Sequence, residues 1–496
     1  MPWLAPALAV AVALAVRLWA LRGQPFVTVD GTEYIRFAEA LAAGRAFVSI
    51  FPPGYPMLIA LARLALAERV LAAALVSLVC GALLPLPVWW LARRAVGARW
   101  ALVPALAVAL HPELSRFSAI AMSESPYFLA LYGGLALAAA ARTLPAGLAL
   151  GAAFAIRPEA LVPAGALVAR TLRGRTAWRA WVLGATGFLA LAVPCWLWFH
   201  ATLGEWTLTP KLGALKPVVT EWRTDEPRLR APATPRHQGP LETLAKNGPA
   251  ALRQYPSNAL AHGRSLLRLW PAPLLLLALA GLARRRGMEA VALLHLAAIP
   301  FLGLSAQPRF VLGALPALAV LATVPLAAPG RARAAAAALW AIGAVGCGLN
   351  LGRDFVRPFD GWIDAQQKAG IWLSGVAEAD AVVMDRKPYV AFYARRPYRV
   401  MPDEPYDALI AAAVGGGVRY LVVDQKIAEV YRRQLEPLLY DATFRDRERR
   451  LQLVYVGGRQ AGYGLGIFRV LGPGEAKSDQ PPFVDGKYLR PAEPAP

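Results

Sequence analysis

Asp30 and Glu33, with Tyr34 beside them, follow the first long apolar stretch of this chain. Other ionisable residues break later apolar runs: Glu124 between Ser123 and Ser125, Arg157-Pro158-Glu159, and Arg309 in Gln307-Pro308-Arg309-Phe310. Charge at membrane depth is costly, which makes each of these a candidate functional group. Two kinds of chemistry suit the residue types. A carboxylate can take a proton from a hydroxyl, and a guanidinium offers phosphate oxygens a rigid fork of donors. Structural readings stand beside these. Asp30 can cap a helix expected over 31–44, helped by Thr28 or Thr32. Ser123, Glu124 and Ser125 can open a helix, where acidic residues are favoured. Arg157 and Glu159 can satisfy one another. The linker holding His111, Glu113 and Arg116 offers a histidine near a carboxylate, but two such groups do not make a metal site, and a structural role is expected for His111.

The elements that carry these residues are long and apolar. Of 496 residues, 57% are hydrophobic and 17% charged, against about 25% charged in an average soluble protein. The hydrophobicity comes in blocks near 3–22, 57–92, 100–111, 126–141, 145–156, 160–169, 180–200, 266–283, 288–305, 310–328 and 333–351. Runs of roughly 18 to 25 residues match a hydrocarbon core of about 30 Å, and continuous runs exclude a β-barrel. The fold class is an α-helical polytopic membrane protein with about eleven spans. Block 57–92 reads as a short surface helix followed by a span, and 145–169 as two short helices broken at Arg157-Pro158-Glu159. The helix over 31–44 groups Tyr34, Phe37, Ala38 and Leu41 on one face, as a helix lying in the interface would. Phe51-Pro52-Pro53-Gly54-Tyr55-Pro56 is a rigid lead-in to the next helix, because proline fixes the backbone without a donor.

Net charge is +21. Much of the excess arginine lies in short linkers of one parity, at Arg93, Arg94 and Arg99, Arg142, Arg170 to Arg179, Arg284 to Arg286, and Arg331 with Arg333. The positive-inside rule puts those linkers in the cytoplasm. The outer side then receives loops 23–56, 111–125 and 201–265. Anionic membrane lipids are the partners this charge implies, and nucleic acid is excluded for want of a binding motif. Cys80, Cys195 and Cys347 lie in apolar blocks without a CxxC, which points to neither a disulfide nor a zinc site. The first block reads as an uncleaved span.

Residues 1–351 form the transmembrane domain in this reading. After Asn350 the pattern changes. "DAVVMD", "RYLVVD" and "LQLVYVGG" read as strands alternating with helices at 362–377, 405–414 and 425–439, an α/β domain over 352–471 on the outer side. It has no nucleophile elbow, P-loop or dinucleotide fingerprint. Lys387, Tyr389, Tyr393 and Arg395 either contact an acceptor or form a solvated face. The Pro-rich tail 472–496 reads as disordered.

Four motifs occur in register: "VDGTEYIRFAEALAAGR…FPPGYPMLIAL", "MSESPYFLALYGGLAL", "AFAIRPEALVPAGAL" and "QPRFVLGALPALAVLA". Over residues 1–350 the chain resembles bacterial membrane glycosyltransferases of the GT-C fold, the broad group of protein O-mannosyltransferase-like and aminoarabinose-transferase-like enzymes. The resemblance implies transfer of a sugar from a polyprenyl-phosphate donor to a lipid, glycan or protein acceptor at the outer face of the bacterial inner membrane. It implies that Asp30 is the catalytic carboxylate. Many members have Asp-Glu adjacent there, whereas here Gly31 follows and the acid comes at Glu33. It matches Glu124 to the acid that opens the fourth span. Glu33, Tyr34, Tyr55, Glu124, Arg157, Arg309 and Arg116 are the residues expected to meet substrate or carrier. Phosphate is a good leaving group, so one general base suffices and inversion is expected. A divalent cation, Mg²⁺ or Mn²⁺, on Asp30 or Glu124 is compatible with hard carboxylate ligands. The rival reading is a polytopic transporter or lipid-linked sugar flippase, since broken helices and membrane arginines also suit transport. The absence of an inverted repeat and the clustering of charge at one face weigh against it.

Overall fold

The computed structural model describes residues 3–22, 27–171, 178–204, 206–209, 240–285, 287–302, 308–356, 361–458 and 464–485. Gln307, residues 205 and 210–239 and residues 486–496 lie outside them, and the part of the expected 201–265 loop from Pro240 onward is not loop but the start of a helix, Pro240–Leu269. The chain divides into two compact units, one within residues 3–356 and the other within 361–485.

The first unit is helical: α1 Leu4–Arg22, α2 Val29–Ala42, α3 Gly54–Ala62, α4 Arg69–Leu83, α5 Pro85–Val96, α6 Leu102–Leu110, α7 Pro112–Ser118, α8 Glu124–Ala139, α9 Thr143–Ile156, α10 Leu161–Thr171 and α11 Trp178–Leu203. Further apolar helices follow, among them Ala272–Arg284, Leu315–Thr323 and Gly330–Val356. Among the described residues five segments are long and apolar enough to cross a membrane: Leu4–Arg22, Arg69–Val96, Trp178–Leu203, Pro308–Ala327 and Gly330–Leu349. A sixth arises if Leu252–Leu269 and Ala272–Arg284, bent by 107°, count as one. The protein is a multi-pass membrane protein, and the figure of eleven spans is not established by these helices. Several expected spans are helices shorter than a bilayer is thick, such as α6 with 9 residues and α9 with 14. The 57–92 block divides into α3 and the longer Arg69–Val96 segment.

Two local devices hold the bundle. Arg17, fully buried in α1, donates to Ala109 O at 2.9 Å and to Ser118 Oγ at 3.2 Å. It thereby serves the carbonyl end of α6, where a cation is favoured. Helices α9 and α11 approach through small residues. A Cβ at Gly147 would stand 2.1 Å from Gly184 O, and one at Gly187 2.5 Å from Leu144 O. Close backbone contact of this kind is how helices associate where lipid removes the hydrophobic drive.

The second unit carries a six-stranded mixed sheet in the order β2-β1-β3-β5-β4-β6. The strands are β1 Val382–Asp385, β2 Tyr398–Val400, β3 Val418–Asp424, β4 Leu451–Gly457, β5 Leu465–Val470 and β6 Phe483–Val484. β1 runs parallel to β2 and β3, β5 is antiparallel to β3 and β4, and β6 is parallel to β4. Both faces are covered. Met384, Leu421 and Val423 pack with Leu409 and Ile410 on one side, and Val383, Tyr420 and Val422 with Ala369, Leu373 and Val390 on the other. Two expectations need correcting. Tyr389 is buried, so it is no acceptor contact. The tail is ordered through residue 485, where Phe483 stacks on Tyr455 and Trp372 and so gains the apolar contact its composition conceals.

Candidate functional site

The site grows from three places where a helix starts or stops. At the first, Thr28 Oγ1 accepts from Gly31 N at 2.9 Å and caps α2. The cap reading of Asp30 therefore fails: Thr28 already satisfies the orphan donor. Asp30 sits in the first turn, and its Oδ2 accepts from Arg309 Nη1 at 2.6 Å across 279 residues of sequence.

At the second, α8 begins at Glu124. Ser123 is the N-cap residue, yet its hydroxyl makes no capping bond. It meets the Tyr34 hydroxyl at 2.9 Å instead and accepts from Arg157 Nη1 at 3.3 Å. Glu124 is 1% exposed, and its Oε1 accepts from Arg157 Nη1 at 2.9 Å.

At the third, Pro158 ends α9. A residue before proline is forced towards extended backbone, and Arg157 has φ −146° and ψ 125°. The break turns its side chain onto the first turn of α8. Arg157 Nη2 also donates to Glu159 Oε1 at 3.3 Å, and the guanidinium lies over the Tyr127 ring, 5.8 Å from its centroid. Arg309 belongs to a short 3₁₀ turn, Pro308–Phe310, ahead of the apolar segment that runs to Ala327. Glu124, Tyr127, Phe128, Arg157, Arg309 and Phe310 line one cavity.

The arrangement brings together Asp30, Glu124, Arg157 and Arg309. It adds Glu159, Ser123 and Tyr127, which the sequence reading did not assign to the site. Tyr127 had a signal, since it lies three residues after Glu124 on one helix face. Other candidates go elsewhere. Tyr55 is fully buried and its hydroxyl donates to Ala73 O at 2.9 Å and meets Ser77 Oγ at 2.8 Å, so it anchors α3 to α4 and does not present itself to substrate. Tyr34 is 2% exposed and packs on Phe51 and Tyr55, acting on the site through Ser123. Arg116 pairs with Glu113 at 3.3 Å and does not line the cavity. Glu33 accepts from the Ser49 hydroxyl, which ties α2 to the following loop. Burial pushes the Glu33 carboxyl above its ordinary range, and the charge of Asp30 adds to that push. His111 caps α7 and contacts Leu269 O at 3.2 Å, a structural role.

The two carboxylates considered for a metal, Asp30 and Glu124, are each engaged by a guanidinium. Among the described residues no group of three His, Cys, Asp or Glu side chains is placed to hold an ion. Either carboxylate could meet a cation only by giving up the guanidinium it already holds.

No protein-family model matches the sequence, and no curated protein matches it. Solved structures do. ArnT from Cupriavidus metallidurans, in a structure bound to undecaprenyl phosphate, is similar over 93% of this chain and 97% of its own, with TM-score 0.55 and 16% identity. The Archaeoglobus fulgidus oligosaccharyltransferase is similar over 86% of this chain and 70% of its own, with TM-score 0.57 and 14% identity. A structure of the Archaeoglobus oligosaccharyltransferase AglB with an inhibitory peptide and a dolichol-phosphate is similar over 92% and 74%, with TM-score 0.55 and 14% identity. These neighbours are glycosyltransferases of the GT-C type, and this chain has the GT-C fold.

Proposed function

We propose that this protein is an integral membrane glycosyltransferase. It moves a sugar from a polyprenyl-phosphate carrier to an acceptor hydroxyl on the extracytoplasmic side of a bacterial inner membrane. The observation that carries this reading is the contact between Asp30 Oδ2 and Arg309 Nη1 beside the buried Glu124–Arg157 pair. Through Arg309 the Asp30 carboxylate touches a cavity lined by two phosphate-type cations, Arg157 and Arg309, while Asp30 itself is not one of its lining residues. The fold shared with ArnT and AglB, whose structures hold lipid phosphates, supports the choice of donor.

In this reaction the phosphate leaves as a weak base and needs no proton. Asp30 takes the acceptor proton, a role worth about 10²–10⁴-fold in rate. One displacement at the anomeric carbon inverts its configuration. Charge develops on the departing phosphate, and fixed cations there lower the barrier more than they favour the ground state. Arg309 and Arg157 supply them. The sheet-bearing unit within 361–485 is assigned to acceptor recognition, and the acceptor itself is a lipid, a glycan or a protein.

The test is release of carrier phosphate by purified protein given polyprenyl-phosphate sugars and candidate acceptors. Asp30→Asn should stop release while the protein purifies and melts as before. Normal turnover by that variant would remove Asp30 as base. Passage of the lipid-linked sugar across a bilayer without sugar transfer would favour the flippase instead.

A further inference from the structure

We propose that Arg309 is an exchangeable cation. At rest it holds Asp30, and the phosphate of the carrier takes the guanidinium over, leaving the Asp30 carboxylate open to the acceptor hydroxyl. The inference rests on the function proposed above and adds an order of events to it.

The two arginines of the cavity differ in what already occupies them. Arg157 donates to Glu124, Glu159 and Ser123. Its main partner is 1% exposed and Arg157 itself is 8% exposed, so the set is largely shielded from water. Arg309 donates to Asp30 through Nη1, and its Nε, though buried, has no hydrogen-bond partner among the described residues. The Arg309 and Asp30 side chains are 24% and 27% exposed. A partly exposed pair of this kind leaves less uncompensated charge when it opens than a buried pair does. A guanidinium meeting a phosphate through two parallel charge-assisted bonds is stronger than one meeting a carboxylate through a single nitrogen. Exchange at Arg309 is therefore favourable, whereas exchange at Arg157 would strand Glu124 as an unpaired buried charge.

The order follows from the geometry. While Arg309 holds Asp30 Oδ2, one of that oxygen's lone pairs is engaged and the base is partly occupied. Carrier arrival frees the base only when a leaving group is in place. After transfer the spent carrier phosphate keeps Arg309, and its departure lets the Asp30–Arg309 pair form again. Arg309 is thus a positioning residue for Asp30 as well as a phosphate ligand.

The experiment measures binding of undecaprenyl phosphate, without sugar, to the full-length protein in lipid nanodiscs. If Asp30 and phosphate compete for one guanidinium, Asp30→Asn binds about three- to tenfold more tightly than wild type, the gain expected from removing a rival of modest strength. Glu33→Gln deletes a nearby carboxylate that does not touch Arg309, and its affinity should change by less than about twofold. Arg309→Ala should weaken binding about tenfold or more and make Asp30→Asn silent when the two are combined. Equal or weaker binding by Asp30→Asn overturns the exchange, as does an equal gain in Glu33→Gln, which would mean general repulsion. Wild-type affinity in Arg309→Ala would overturn the assignment of Arg309 to the phosphate, a failure of the underlying reading that the Asp30 variants alone would not produce. Arg309→Lys and Asp30→Ala repeat the comparison should the first pair purify poorly.

Discussion

Arg157 Nη1 stands 2.9 Å from Glu124 Oε1, so that the proline break after α9 is pinned to the first turn of α8 by two buried charges. Removing one member of such a pair leaves the other uncompensated, at a cost of about 3–5 kcal/mol. Glu124→Ala should therefore lower the unfolding temperature in detergent more than Glu124→Gln, which keeps an acceptor for Arg157. Glu159→Gln should cost least, because Arg157 retains Glu124. The order is checked by thermal unfolding of the purified variants, and a larger loss in Glu159→Gln than in Glu124→Ala would contradict the pairing.

Thr28 caps α2 two residues before the proposed base. Loss of a threonine cap costs about 1 kcal/mol, and here the first turn that frays is the turn that carries Asp30. Thr28→Ala should reduce transfer several-fold with Asp30 unchanged, and Thr28→Ser should restore it, since a serine hydroxyl caps as well. The measurement is initial rate at saturating donor. An inactive serine variant alongside an unaffected alanine variant would show that the hydroxyl does not act as a cap.

The parts of this architecture that depend on local sequence could be read in advance, and the parts that depend on long-range pairing could not. Helix breaks at Pro158 and around Phe51-Pro52-Pro53-Gly54 are dictated by missing donors and fixed φ, and they fall where the sequence puts them. Strands β1, β3 and β4 show as apolar runs between turn residues. β5 does not, because its apolar run is short and interrupted by Gly466 and Arg469. At the site, the residue types Asp30, Glu124, Arg157 and Arg309 were visible as charge in apolar surroundings. Which cation meets which carboxylate depends on contacts spanning 33 and 279 residues, which no local pattern encodes. The tyrosines misled for a related reason. Tyr55 looks like a substrate contact until Ala73 and Ser77 are seen to hold its hydroxyl.

Gly54 explains why the Pro-Pro-Gly-Tyr-Pro turn has no side chain at its centre. A Cβ there would lie 2.5 Å from Ala155 O and 2.6 Å from Ala155 C. Both are backbone atoms, two residues before Arg157, and cannot swing away as a flexible side chain can. Gly54→Ala should cost about 1–3 kcal/mol through overpacking. It should also weaken carrier binding, because the displaced end of α9 carries Arg157. Unfolding temperature and undecaprenyl phosphate affinity test the two effects, and neither should change if α3 can move aside freely.

Asp385 and Asp424 end the adjacent parallel strands β1 and β3, and the sheet places both on the face covered by the helix Gly361–Val376. Asp424 is well supplied with donors: Gln366 Nε2 reaches its Oδ2 at 2.8 Å and Ile427 N its Oδ1 at 2.7 Å. Asp385 is fully buried, and its Oδ2 has no partner among the described residues. Burial, reinforced by the charge of Asp424, pushes its carboxyl well above the ordinary aspartate range. The folded protein then binds a proton that the unfolded chain, with an aspartate pKa of about 3.9, has released. Stability from this group is at its full value below that pH and declines as pH rises towards the folded value. Asp385→Asn is neutral throughout and removes the decline. In the full-length protein, hydrogen exchange at residues 382–385 and 418–424 should match wild type near pH 4 and be slower than wild type near pH 8, after correction for intrinsic exchange. Faster exchange in the variant at pH 8 would mean that Asp385 is charged in the fold and held by a partner.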